Sequence, residues 1–275
     1  MRIREAFWRL PHMDEDGRLE ALYDRMPAGG HSIKRTTRGR MRALDAELVE
    51  LIDERFAPGI AIRIHDAGAS NAITSAELFA AMKRPRAMLA SDLYDHISDV
   101  RVGPFHVTFN ALGEPMEVAL GRWALKSRGS VLKTVAAAPR AWIVAMARAR
   151  GRPVVRIPLF HPEALALAER EAGFRLAHGD LFDPDPGPFE VVRIVNLLGS
   201  RNFPLDMVRR GLRALSRTLV EGGLLVAGRT RDEEDGTPDV TIFARRGDGL
   251  VALRELGHGY EHCDEALALD LAQLS

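Results

Sequence analysis

A single cysteine, Cys263, excludes an internal disulfide framework and fits a reducing compartment. No run of about eighteen apolar residues, the length a membrane-spanning helix needs, occurs along the chain. The opening MRIREAFWRLPHMDEDG carries charges where a secretory signal needs an apolar stretch, so a cytoplasmic protein is expected. Neither sign of charge is in excess, since 38 Lys and Arg balance 38 Asp and Glu. That balance excludes an overall field steering the chain to nucleic acid or a membrane, and leaves any such partner to be read from local patches. Aromatic residues are sparse at 6%, yet an apolar content of 46% in 275 residues supports a core of ordinary size and one α/β domain with additions.

What the chain does have is alternation of strand and helix patterns. Residues 1–55 read as a small helical leader: RALDAELVELIDERF sets Leu44, Leu48, Leu51 and Ile52 at helical spacing, after the glycine-rich basic loop PAGGHSIKRTTRGR. From residue 56 to 275 the pattern is that of a doubly wound, mostly parallel seven-stranded sheet. IAIRIHD reads as a strand, AITSAELFAAMK as a helix and RAMLASDLY as the next strand. The regularity breaks over 94–158, an insertion far longer than the ~2–6 residues usual between such elements. Within it, Phe105 to Phe109 and Met116 to Leu120 form an expected hairpin, and a helix follows Pro139. Regularity returns with the helix HPEALALAEREAGF, the strands FRLAHGDLF and FEVVRIVNLL, and the helix PLDMVRRGLRALSRTL. Gly222-Gly223 is expected to launch the strand LLVAGRT, and DVTIFARRGDGLVALREL closes the sheet as an antiparallel hairpin about a Gly-Asp-Gly turn.

The stretch IAIRIHDAGASNAITSAELFA carries the most chemistry. A strand ending at Asp66, a turn through Gly68 and a helix capped by Ser70 or Asn71 brings backbone N–H groups to the strand's carboxyl end. In doubly wound sheets that is where ligands bind. The dinucleotide pattern G-x-G-x-x-G is absent, and the acid before Gly68 disfavours a pyrophosphate while suiting a ligand with a cationic amine. No Gly-Lys-Ser/Thr follows, which excludes a phosphate-binding P-loop.

With SDLY on the second strand, GDLF before the fourth and EGGLLVAGRT on the fifth, IRIHDAGASNA resembles the class I S-adenosylmethionine (SAM)-dependent methyltransferase superfamily. AGASNA and VVRIVNLLGSRNF are also similar to segments of the chemoreceptor glutamate methyltransferases. The resemblance implies that Asp66, Gly68, Ser70 and Asn71 hold the methionine end of SAM and that Asp92 accepts from the ribose hydroxyls. It further implies that Asp180 and the backbone of Leu181 receive the adenine, and that Asn196 faces the reacting methyl. Ser70 and Ala72 stand where the first motif commonly has glycines, and Ala72 is expected to be helical already.

Other residues keep two readings. Asn196 is equally a turn residue, and Arg193 in an apolar strand fits a buried ion pair or a substrate carboxylate site. Tyr94, His31 and Asn196 are candidates for the acceptor side, and Lys34 or Arg35 in HSIKRTT for an acidic substrate. Between 118 and 162 nine Lys and Arg occur with no acid, a solvated face or a contact for an anionic partner or membrane surface. His258, His262 and Cys263 lack a second cluster, so no metal site is expected. The expected function is methyl transfer from SAM to a small-molecule acceptor. Alternatives are transfer or cyclisation using another part of SAM, SAM binding without catalysis, and a nicotinamide dehydrogenase.

Overall fold

The computed structural model describes residues 27–29, 32–33, 36–121, 123–126, 137–149, 154–231 and 237–272. A short ribbon of β1 (Pro27–Gly29) and β2 (Ser32–Ile33) precedes α1 (Arg42–Arg55), β3 (Ile62–Ala67), α2 (Ile73–Ala81) and β4 (Arg86–Asp92). Then come β5 (His96–Val102), β6 (Phe105–Asn110), β7 (Pro115–Leu120), β8 (Trp123–Lys126), α3 (Ala137–Arg148) and β9 (Val154–Pro158). They are followed by α4 (Pro162–Arg170), β10 (Phe174–His178), β11 (Phe189–Val195), α5 (Leu205–Arg217) and β12 (Leu219–Thr230). Last are β13 (Pro238–Arg246), β14 (Gly249–Leu256) and α6 (Cys263–Leu267).

The chain falls into two compact units, Arg35–Leu93 with Phe160–Ser275, and Met1–Lys34 with Tyr94–Leu159. The first holds a seven-stranded sheet in the order β10-β4-β3-β11-β12-β13-β14. Its first five strands are mutually parallel, while β13 runs antiparallel to both neighbours. This is the expected doubly wound sheet with a closing hairpin. Successive parallel strands step outward from β3 to β4 and β10, then return to β11 on the other side of β3. The crevice between β3 and β11 is therefore the topological switch point.

Both faces of this sheet are covered, as a parallel sheet requires. Ile62, Ile64 and Met88 pack under Leu44, Leu48 and Ile52 of α1, Leu78 and Phe79 of α2 and Ala164 of α4. On the other face, Val192, Ile194 and Leu225 meet Val208, Leu212 and Leu215 of α5 and Ala266 of α6. α1, which falls within the helical leader expected over 1–55, is part of this core. The apolar stripe of α1 declares that it must be buried, but a stripe does not name its partner. All seven residues of β11 are buried, as its largely apolar run implies, with Glu190 and Arg193 the charged exceptions.

One strand boundary differs from expectation. β12 begins at Leu219, ahead of the double glycine. Gly222 adopts φ 74° inside an irregularity where Phe189 pairs with Leu219 but Val191 pairs with Leu224. Extra residues are looped out of one strand there, a role glycine fills readily.

The second unit is a five-stranded antiparallel sheet, order β8-β7-β6-β5-β9. The expected hairpin is its β6–β7 pair, but β5, β8 and β9 were not legible as its neighbours. In β5 both faces are buried, Ile97 and Asp99 on one and Val100 and Val102 on the other, so no polar/apolar alternation marks the strand. α3 packs Ile143, Val144 and Ala147 against Val100, Val107 and Val118.

Candidate functional site

The carboxyl ends of β3, β4 and β11 and the loop 68–72 build the candidate site within the seven-stranded unit. Gly68, Ser70 and Ala72 have φ of 73°, 58° and 61°, and Asn196 at the end of β11 has φ 67°. These left-handed conformations cost a non-glycine residue roughly 1–2 kcal/mol each. The described residues show no other non-glycine residue with positive φ. Strain confined to the two strand ends that flank the switch point is a mark of a functional loop. Ala72 is the residue before α2 and lies in the left-handed region, which corrects the expectation that it is already helical. The cap assignment changes too. Ala72 occupies the cap position, while Asn71 Oδ1 accepts from the Ile73 N–H at 3.1 Å.

The loop is tied to the neighbouring strand. Gly68 and Ala69 N–H groups both donate to Ser91 O at 2.9 Å, and the Ser70 N–H donates to Asp92 Oδ2 at 2.8 Å. Asp92 is buried at the mouth of this turn. Beyond it, the Gly179 N–H donates to Asp92 O at 3.2 Å, which brings Asp180 next to the same strand end. Asp180 is exposed, its Oδ1 accepting from the Phe182 N–H at 2.9 Å, and Leu181 lies between them half-buried.

Asp66 faces away from this opening. Arg193 lies opposite it in register on β11, so both side chains share the face covered by α1. Arg193 donates from Nε to Asp66 Oδ1 at 3.0 Å, from Nη2 to Asp66 Oδ2 at 2.6 Å and from Nη1 to Asp45 Oδ1 at 2.7 Å. The Ser75 hydroxyl donates to Asp66 Oδ2 at 2.5 Å. Accepting from Arg193 and Ser75 with both oxygens, Asp66 anchors the base of the loop. The same triad resolves Arg193 as a buried ion pair. Burial pushes the Asp45 carboxyl up to about 6, ahead of the downward pull of Arg193. Burial alone would lower Arg193, but Asp66 and Asp45 hold it above its ordinary range.

Asn196 is a pin between strand ends. Its Oδ1 accepts from the Thr230 N–H at 2.8 Å, its Nδ2 donates to Thr230 Oγ1 at 3.1 Å, and its own N–H donates to Gly228 O at 2.8 Å. Such commitment fits its turn reading. Leu197 beside it packs so closely on Gly68 that a Cβ there would lie 2.4 Å from Leu197 Cδ2.

A strap missed by sequence reasoning runs along the same strand ends. Asn71 Nδ2 donates to Thr36 O at 3.0 Å, the Gly39 N–H donates to Glu77 Oε1 at 2.9 Å, and Arg40 Nε donates to Thr230 Oγ1 at 2.8 Å. Residues 36–40 thus link the β3 loop to the end of β12. Asp45 had a signal of its own, an acid inside a buried helical stripe, with Arg193 the matching charge in an apolar strand. Tyr94 lies in the turn after β4 and belongs to the other unit. His31, Lys34 and Arg35 fall outside the described residues, as does much of the basic run 118–162.

Together these features define an open, doubly wound α/β fold with the candidate site at its switch point. No family model and no curated protein matches the chain. Among solved structures it is similar to a SAM-bound amino pentose methyltransferase from Micromonospora echinaspora, at 15% identity over 80% of this chain and 78% of that one, TM-score 0.36. It is also similar to a protein-L-isoaspartate O-methyltransferase, at 12% identity over 84% and 49%, TM-score 0.39. A third is the cyclase SpnF, at 15% over 78% and 52%, TM-score 0.34. The chain spans about half the length of the last two. These likenesses are low in identity and TM-score, and the strand order itself carries the fold assignment.

Proposed function

We propose that the protein is a SAM-dependent methyltransferase of the class I superfamily, acting in the cytoplasm on a small-molecule acceptor. The observation that carries this reading is the loop 68–72 with Asp92 beside it. Ser70 and Ala72 replace glycines of the motif, yet both keep the left-handed backbone a glycine would supply. The loop therefore has the shape of the motif without its full composition.

The residues present fit SAM at its ribose and adenine ends. The buried Asp92 carboxylate holds Ser70 with Oδ2 and, having several lone pairs, suits a pair of neighbouring hydroxyl donors. Asp180 and the Leu181 backbone would take the adenine. At the methionine end the loop backbone and Asn71 remain, with Asp66 acting behind them through Arg193. When bound, SAM supplies an electrophilic methyl for in-line displacement, for which alignment in a dry pocket matters most. An acceptor that arrives ionised needs no base from the protein.

A second reading, SAM binding without methyl transfer, is favoured by Leu197 seated on Gly68. Incubation with methyl-labelled SAM and a small-molecule extract, followed by mass spectrometry, separates the two. Labelled small molecules support transfer; intact SAM bound without product supports the second reading. In the same assay Asp92→Asn, which keeps an acceptor for Ser70, is expected to fold and to weaken SAM binding by ~1–3 kcal/mol. Unchanged affinity removes Asp92 from the site.

A further inference from the structure

The five-stranded unit buries a polar row that packing does not account for. Asp99, Thr108 and Glu117 stand directly opposite one another across β5, β6 and β7, on the face away from α3. Asp99 is 6% exposed and the other two 0%. His106, on the same face, sets Nδ1 2.8 Å from Asp99 Oδ2, and Lys126 occupies the register position opposite Glu117. Asp99 Oδ1 and Thr108 Oγ1 are buried with no hydrogen-bond partner among the described residues. A buried acceptor left unsatisfied costs roughly 1–3 kcal/mol, so two on directly opposed register positions call for a donor.

We propose that this face binds a small molecule bearing an ammonium group, which donates to Asp99 Oδ1 and Thr108 Oγ1. An ammonium carries three donors and no acceptor, matching a carboxylate oxygen and a hydroxyl oxygen from directly opposed register positions. Its charge also offsets that of the buried Asp99 carboxylate. Burial holds the Asp99 carboxyl above its ordinary value in spite of the downward pull of His106. No group of three or more His, Cys, Asp or Glu placed to hold a metal ion occurs among the described residues.

The test is calorimetric titration of the full chain, without SAM, using putrescine and ethanolamine against glycolate and ethylene glycol. SAM is left out so that this result stands apart from the cofactor reading. Saturable binding of an amine, with neither control binding, is expected. Asp99→Asn should weaken it by about tenfold or more, and Thr108→Val severalfold. Because Thr108→Val removes an unpartnered buried hydroxyl, the unliganded variant should melt at or above the wild-type temperature. The proposal is overturned if the amines bind no better than ethylene glycol, or if neither substitution changes their binding. A lower melting temperature in Thr108→Val also overturns it, since the hydroxyl then has a structural partner.

Discussion

Arg193→Met is expected to destabilise the protein by about 3–5 kcal/mol, read as a lower denaturant midpoint at neutral pH. The guanidinium is wholly buried and holds two buried carboxylates, Asp66 and Asp45. Removing it leaves both without their cation, which is far costlier than losing a surface pair. Asp45→Asn gives the opposite contrast. The folded-state carboxyl of Asp45 is raised to about 6 from 3.8, so between those values the folded state keeps a proton that the unfolded state has released. Asp45 therefore makes stability fall as pH rises through that window and adds no further slope above it. Asp45→Asn should flatten stability between about pH 4 and 6 and at neutral pH cost much less than Arg193→Met. Equal losses in the two variants would mean that the Asp45 ion pair outweighs its burial.

Gly68→Ala should cost about 2–4 kcal/mol, combining the left-handed penalty with overpacking at the low end of its range. Its φ of 73° disfavours any side chain, and the new methyl meets Leu197 Cδ2. Only the second effect depends on Leu197. In a Leu197→Ala background the cost should fall to about 1–2 kcal/mol, the backbone share alone. The same cost in both backgrounds would show that Leu197 does not limit the turn.

Much of the fold was legible because its signals are local. The apolar run 189–195 announced a strand buried on both faces, and Gly-Asp-Gly announced the closing hairpin. The five-stranded sheet was largely hidden, because β5 buries side chains on both faces and its polar row reads as surface. At the site, the loop and Asp92 could be placed from the sequence, since strand ends and turns are marked by residue type. The direction in which Asp66 points could not, because it depends on register with Arg193 across the sheet and on Asp45 from a helix. Ala72 was misjudged for a related reason: alanine favours helix, and the tertiary hold of Asn71 and Ser91 on the loop overrides that preference. Asn196 likewise reads as a polar candidate until Thr230 is seen to take its amide.

The most direct test of the cofactor site is a calorimetric titration of the wild-type chain with SAM and, separately, with NAD. The site described here predicts saturable SAM binding at one site per chain and no NAD binding. Tight binding of NAD with none of SAM would contradict it.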